Sequence, residues 1–117
     1  MDDETLRMTM LFDFFGDLLT DKQREYFDLY HNEDLSLSEI AEKAGISKQG
    51  VYDNITRAEK TLEAFEHKTG VVRRWQETRA GLARAETLAS KLLGLHNDGE
   101  ASELVRDLIQ ALEDLRS

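Results

Sequence analysis

The histidines could bind a metal and two closely spaced glycines could belong to a phosphate-binding loop. Their spacing in this sequence fits neither kind of site. His31, His67 and His96 are far apart, and none belongs to a His-x-x-x-His or Glu-x-x-His pair that would hold a metal on a helix. Gly45–Gly50 has the glycine spacing of a phosphate-binding loop, but Val-Tyr follows where such a loop needs Lys and Ser or Thr. We therefore predict that the protein is not an enzyme and uses no metal or cofactor.

A polar run after the second of these glycines has the spacing of a nucleic-acid-reading helix face. With Val51 as the centre of a buried face and about 100° per residue, one set of residues points outward: Gln49, Tyr52, Asp53, Thr56, Arg57 and Lys60, with Ser47 and Lys48 at the N-terminal end. Gln pairs with adenine, and Arg or Lys with guanine or phosphate. Asp53 repels phosphate, although a carboxylate can accept from a cytosine amino group. We predict that this set contacts nucleic acid.

The net charge of the chain argues against DNA binding by this helix and for binding to a protein partner. The 117-residue chain carries a formal net charge of −9, and Thr20–Lys68 contains seven basic residues against eleven acidic ones. DNA-binding proteins draw most of their non-specific affinity from neutralising phosphates, which requires a basic surface. A protein-docking scaffold therefore stays open as the alternative.

A second basic feature lies towards the C-terminus. Val71–Leu95 contains five basic and two acidic residues, and Arg73, Arg84 and Lys91 share one line of the helix to within about 20°. Such a stripe can follow a nucleic-acid backbone, RNA included, or bind an acidic partner. Pairing with the acidic first half of the chain is the alternative.

Local signals place the polar run on the second helix of a helix-turn-helix. Ser36 and Glu39 form a capping box, Gly45 suits the left-handed end of that helix, and Ser47 caps the next one. Two helices joined by a short turn containing glycine predict a helix-turn-helix, whose second helix enters the major groove by its N-terminal end. We expect Ile46 to pack into the corner between them.

Helices are predicted on both sides of this motif, so the chain is all-α. A capping box of Thr20 and Gln23 opens the preceding helix, and the reading helix extends to about Thr69. We predict a helix-turn-helix domain with an N-terminal helix over 1–69, and a C-terminal helical hairpin over 70–117 that packs on it or on a second subunit. Asn97 and Glu100 are predicted to cap the last helix. Its predicted packing stripe is Ala101, Leu104, Leu108, Ala111, Leu112 and Leu115.

The N-terminal helix is apolar nearly all round. It has two stripes, Leu6–Met10–Phe14–Leu18 and Met8–Phe12–Phe15–Leu19, so both sides must be covered. Either a later helix of the same chain covers the second side, or that side is a homodimer seam or a partner's docking site. For a dimer seam we predict the following residues: Leu6, Met8, Leu11, Phe12 and Phe15.

Composition limits the cellular setting. There is no cysteine, so no disulfide is available, and no proline interrupts the helices. The N-terminal Met-Asp-Asp-Glu is acidic where a signal peptide is basic, and no apolar run approaches the roughly 18 residues of a membrane span. We predict a cytoplasmic protein that does not enter the membrane.

These runs also resemble a known family. The Gly-Ile-Ser-Lys-Gln segment resembles the opening of the recognition helix in region 4 of bacterial sigma factors. Over Leu11–Glu66, and above all in Leu11–Gln23, Asp34–Glu42 and Ser47–Arg57, the sequence is similar to the YlxM family of helix-turn-helix proteins. It departs from that family's pattern with Lys48 for Arg and Gly50 for Ala.

The resemblance implies a setting that the residues alone do not give. YlxM-like proteins are associated with the signal recognition particle, so the implied partners are the particle's RNA or its GTPase Ffh, and the implied role is regulatory. A sequence-specific transcription regulator that binds DNA through Ser47–Lys60, and a protein-docking module without nucleic acid, are the alternatives. The protein is expected to be a homodimer.

Overall fold

A computed structural model describes residues 2–95 and 99–116, and all regular structure in those ranges is helical. The elements are α1 (Asp3–Phe15), the single 3₁₀ turn η1 (Gly16–Leu18), α2 (Asp21–His31), α3 (Leu37–Ala44), α4 (Lys48–Thr69), α5 (Val71–Leu95) and α6 (Gly99–Arg116). The predicted all-α class is confirmed. His96 and the Asn97 cap lie outside the described residues.

The predicted helix starts form as their sequences indicate. The Thr20 hydroxyl accepts from the Gln23 backbone N–H at 3.2 Å, and the Gln23 side chain accepts from the Thr20 N–H at 3.2 Å. Ser36 and Glu39 make the same reciprocal pair at 3.1 Å in both directions. Each capping box satisfies two backbone donors that a helix start leaves open, which fixes where α2 and α3 begin.

The first core cluster holds α1 against α2 and α4. Its buried members are Met8, Leu11, Phe15, Leu19, Phe27, Ala58, Leu62 and Val72. The Phe12 ring stacks on Phe27 with centroids 4.9 Å apart, an offset geometry that adds to simple burial. The Met8–Phe12–Phe15–Leu19 stripe of the sequence is therefore the one that faces this core.

This packing changes how the predicted dimer seam must be interpreted. Met8, Leu11 and Phe15 are covered by their own chain, so later helices cover one side of α1. On the second side, Leu6 remains 48% exposed, and Phe14 and Leu18 stay exposed as well, so no later helix in the described part of the same unit buries that stripe. A seam on α1 would have to use these exposed residues, because the buried three cannot reach a second copy.

A second core cluster holds the helix-turn-helix together. Its buried members are Tyr26, Ile40, Ala41, Val51 and Ile55. Neighbouring residues of α2 therefore serve different clusters, since Tyr26 faces α3 and the start of α4 whereas Phe27 faces α1. Ala41 is the small residue that lets the two helices of the motif approach each other.

The chain divides into two compact units, Met1–Val72 and Arg73–Ser117. The division falls inside α5, two residues after the start of that helix, because Val72 is only 1% exposed and belongs to the first core cluster. Glu66 secures this point, since its buried carboxylate accepts from the Val72 backbone N–H at 2.9 Å. A carboxylate at a helix start satisfies an open donor and suits the positive end of the helix dipole.

Glu66→Ala is expected to destabilise the first unit by about 1–3 kcal/mol, because it leaves the Val72 N–H buried without its acceptor. Glu66→Gln keeps a side-chain carbonyl in place and should cost less than half as much. Urea unfolding followed by circular dichroism measures both. Equal losses in the two variants would show that the negative charge, rather than the hydrogen bond, is what matters.

The second unit is an antiparallel hairpin of α5 and α6. Arg116 lies 3.1 Å from Glu86, and Arg79 donates to the Arg116 carbonyl at 3.3 Å, so the end of α6 lies beside the middle of α5. Most of the predicted packing stripe of α6 does not form the contact with α5. Ser102 and Val105 are the buried residues, whereas the following stripe residues are exposed: Leu104, Leu108, Ala111 and Leu115.

Candidate nucleic-acid interface

The turn before α4 fixes the N-terminal end of the candidate reading helix. Gly45 ends α3 with φ 71°, in the left-handed region, where a Cβ is unfavourable. The Ser47 hydroxyl accepts from the Gly50 backbone N–H at 3.0 Å and caps α4. At Gly50 a Cβ would lie 3.2 Å from this hydroxyl, so glycine here leaves room for the cap although it weakens helix propensity.

Most of the predicted reading face is open to solvent. The residues of this set with exposed side chains are Ser47, Lys48, Gln49, Tyr52, Asp53, Arg57 and Lys60. Tyr52 is 51% exposed, so its ring is open to contact by a partner. Thr56 is half-buried, so it is the one member that faces partly into its own chain.

A hydrogen bond couples the two polar residues at the centre of this face. The Gln49 side-chain amide donates to the Asp53 carboxylate at 2.9 Å. The bond uses one amide donor and orients the carboxylate along the helix, so Gln49 presents its carbonyl and its remaining N–H to the outside. A base edge that paired with Gln49 would meet Asp53 directly beside it.

Three cations of α4 make no ion pair in the described part of the chain, although the sequence as a whole is acidic. Across residues 2–95 and 99–116, no carboxylate forms an ion pair with Lys48, Arg57 or Lys60. Several acidic side chains away from the turn are paired instead: Glu63 with Arg7 at 2.7 Å, and Asp17 with Arg24 at 3.1 Å. Each of these pairs consumes one cation and one carboxylate, so the net charge stays the same, whereas Lys48 and Arg57 near the turn form no ion pair with a described residue.

Lys60 and Thr56 belong to a different surface from the tip of the helix. They line an open groove of about 700 Å³ between α1 and α4, together with Glu4, Glu59 and Glu63. Because these carboxylates share the groove with Lys60, they lower the positive potential there. The structure therefore separates the predicted set into a tip, defined as Ser47, Lys48, Gln49, Tyr52, Asp53 and Arg57, and the acidic groove that contains Lys60.

Glu39 and Arg7 are among the ionisable side chains of this unit whose pKa values are shifted by visible contacts. The Ser36 backbone N–H, which donates to the Glu39 carboxylate, holds the pKa of Glu39 below its usual value. The hydrogen bond to Glu63 raises the pKa of Arg7 above its usual value. Both shifts belong to structural contacts, a helix cap and an ion pair, and neither lies in the tip.

The basic stripe of α5 lies on the other unit. Arg73, Arg84 and Lys91 are exposed, and Arg73 lies 4.0 Å from Glu77 one turn along the helix. Since the stripe and the tip occupy different units, each is a candidate contact surface by itself.

Ile46 is a surface residue that the sequence pattern did not reveal. We expected it to pack in the corner of the turn, but it is 40% exposed. An exposed apolar side chain beside the tip can contact the methyl group of thymine. Only its position directly before a cap residue hints at this role.

Histidine and carboxylate groups form no metal site in the part of the chain that the structure describes. No group of three or more such side chains lies within ligand distance there. His31, at the end of α2, instead packs its ring 4.3 Å from the Phe27 ring and lies 3.3 Å from Glu59. None of the described helices is long and apolar enough to cross a membrane.

Comparison with known proteins shows extensive similarity. Residues 2–98 match the family described as "UPF0122: Putative helix-turn-helix protein, YlxM / p13 like". A UPF0122 protein of Thermoanaerobacter sp. strain X514 is 44% identical over 115 residues, 98% of each chain. One from Geobacillus kaustophilus is 44% identical over 106 residues, covering 91% of this chain and 94% of the relative, and one from Bacillus cereus strain AH187 is 41% identical over 97% of each.

Proposed function

The chain belongs to the UPF0122 family of YlxM- and p13-like helix-turn-helix proteins, and from that premise we propose that it is a regulatory protein that binds nucleic acid through the tip of α4. The observation that carries the proposal is the exposed tip with its two unpaired cations, Lys48 and Arg57. A helix-turn-helix presents this end to the major groove. The cations supply phosphate or guanine contacts, and Gln49 supplies a base contact.

The acidic remainder of the chain limits how this binding works. With a net charge of −9, long-range attraction to DNA is weak, so affinity must come from close contacts at the tip. Low non-specific affinity suits a regulator that binds one structured target rather than any duplex. Asp53 also lowers non-specific affinity, because its carboxylate repels phosphates and can be offset only by a base that donates a hydrogen bond to it.

The resemblance to YlxM proteins supplies the candidate setting, the signal recognition particle. There the target would be the particle's RNA, with the basic stripe of α5 as a further contact, or its GTPase Ffh. The exposed side chains of Arg84 and Lys91 favour an RNA contact by this stripe. A DNA operator is the second candidate, and it requires two tips about 34–36 Å apart in a dimer.

A titration of the purified chain against duplex DNA and signal-recognition-particle RNA across a salt series tests the proposal. In the Lys48→Ala, Arg57→Ala variant, affinity for the bound nucleic acid should fall by about 10–100-fold, and the salt slope by about 2 if both cations neutralise phosphates. The control Lys22→Ala, Arg24→Ala removes the same charge from α2 and should change affinity by less than about threefold, since neither residue is at the tip.

Each outcome of this titration selects a function. Binding to RNA alone, lost on reversal of Arg84 and Lys91, supports the particle setting with the stripe as contact. DNA binding lost with Lys48 and Arg57 supports the regulator of an operator. If wild-type protein binds neither nucleic acid, the proposal fails, and the helix-turn-helix is a docking scaffold to be tested against Ffh.

A further inference from the structure

The hairpin of the second unit carries a face of leucines that its own two helices leave uncovered. This leucine face consists of Leu88, Leu92 and Leu95 of α5, and Leu104, Leu108 and Leu115 of α6. Each side chain is between 41% and 80% exposed. A helix in a folded domain buries its apolar stripe against another element, so these exposed side chains require a covering partner.

Both sets of leucines lie on the same side of the hairpin. The buried Ala89 and Val105 mark where α5 and α6 meet. At about 100° per residue, the α5 leucines lie about 60–120° around the helix axis from Ala89. The α6 leucines lie about 60–100° from Val105, in the same sense of rotation about their own helix axis. Because the helices are antiparallel, an equal sense of rotation brings the two stripes to one shared face.

The two outer edges of this face carry opposite charge. Arg84 and Lys91 lie on the edge of α5 that is remote from α6, and are exposed. The edge of α6 that is remote from α5 carries Glu100, Glu103 and Asp107, also exposed. The leucine face is therefore bordered by a basic edge on one side and an acidic edge on the other.

We propose that the leucine face binds the leucine face of a second copy of this chain, forming a four-helix bundle. Two arrangements with two-fold symmetry bring such faces together. A two-fold axis across the helices places α5 on α5 and basic edge on basic edge, which is repulsive. An axis parallel to the helices places α5 of each copy over α6 of the other, so each basic edge meets an acidic one.

The second arrangement also satisfies the packing rules of bundles. Every neighbouring pair of helices is antiparallel, as in up-and-down four-helix bundles, and the interface is isologous, as in most homodimers. Leucines at spacings of three, four and seven residues are suited to interdigitate in such a core. This dimer would form whether or not the protein binds nucleic acid. Its interface lies on the hairpin and not on α1.

Sedimentation equilibrium of the full chain gives the first test. Wild-type protein should have about twice the 13.4 kDa mass of one chain, and the Leu104→Asp, Leu108→Asp variant should weaken the dimer by more than 100-fold. The matched control Leu6→Asp, Leu18→Asp changes two exposed leucines of the first unit and should leave the dimer intact. A monomeric wild type, or dissociation by the control alone, would overturn the proposal.

A cross-linking experiment tests the arrangement without disturbing the leucines. The chain has no cysteine, so Lys91→Cys and Asp107→Cys introduce unique thiols on the two edges. A mixture of these two single variants should give a covalent dimer with a short bis-maleimide, and neither variant alone should do so. Absence of the mixed cross-link would rule out the α5-over-α6 arrangement. In the dimer Lys91 faces the acidic edge of the second copy, so it cannot contact RNA at the same time. The cross-link is therefore measured without RNA.

Discussion

Phe27→Ala is expected to destabilise the first unit by about 3–5 kcal/mol, the usual cost of removing a buried phenyl ring. Phe27 has no exposed surface, stacks on Phe12 at 4.9 Å and contacts the His31 ring at 4.3 Å. Its loss opens a cavity at the point where α1 and α2 meet α4. Since domains are stable by only about 5–15 kcal/mol, a substantial unfolded fraction should follow.

Thermal unfolding followed by circular dichroism measures this effect. A loss of 3 kcal/mol or more corresponds to a fall in Tm of at least about 12 °C in a domain of this size. Phe14→Ala is the matched control, because it removes the same ring from a position that is 39% exposed, and should cost less than about 1.5 kcal/mol. Similar losses in both variants would mean that the outer stripe of α1 is also covered.

The sequence predicts the helix starts and the turn because their causes are local. A capping box needs only two residues three apart, and the left-handed Gly45 needs only its own backbone, so α2, α3 and α4 begin where the pattern indicates. The outward tip of α4 follows equally directly, since Val51 identifies the buried side and helical periodicity gives the opposite one.

Tertiary choices could not be predicted in the same way. On α1 two stripes are equally apolar, and only the positions of Phe27 and Leu62 decide that Met8, Leu11 and Phe15 face the core. On α6 the leucines form the stronger stripe, yet the hairpin packs through Ser102 and Val105. Periodicity shows that a face is apolar, but the covering element is determined by residues far away in the chain.

The separation of Thr56 and Lys60 from the tip also results from contacts between residues that are far apart in the chain. Thr56 and Lys60 follow the tip in helical register, so the sequence includes them in one face. The structure brings Glu4 of α1 alongside α4 at this level and makes them part of an acidic groove. That neighbour is more than fifty residues away in the chain, and no local pattern records it.

Ile40→Ala is expected to release the first helix of the motif while the rest of the first unit stays folded. Ile40 is fully buried against Tyr26 and Val51, and its truncation should cost about 2–5 kcal/mol. With only eight residues, α3 cannot persist without this contact. Because Ile40 packs against Val51 at the start of α4, its truncation removes support from the N-terminal end of that helix, and nucleic-acid affinity should fall.

Hydrogen exchange distinguishes this local release from general unfolding. Amides of Leu37–Ala44 should exchange faster in Ile40→Ala, whereas amides of α1 and of α4 around Leu62 should lose less protection, since they belong to the first cluster. Ile40→Val, which should cost only about 0.5–1.5 kcal/mol, is the control that keeps the branched side chain. Uniform loss of protection in Ile40→Ala would show that the two clusters unfold as one unit, and that the tip cannot be loosened without losing the fold.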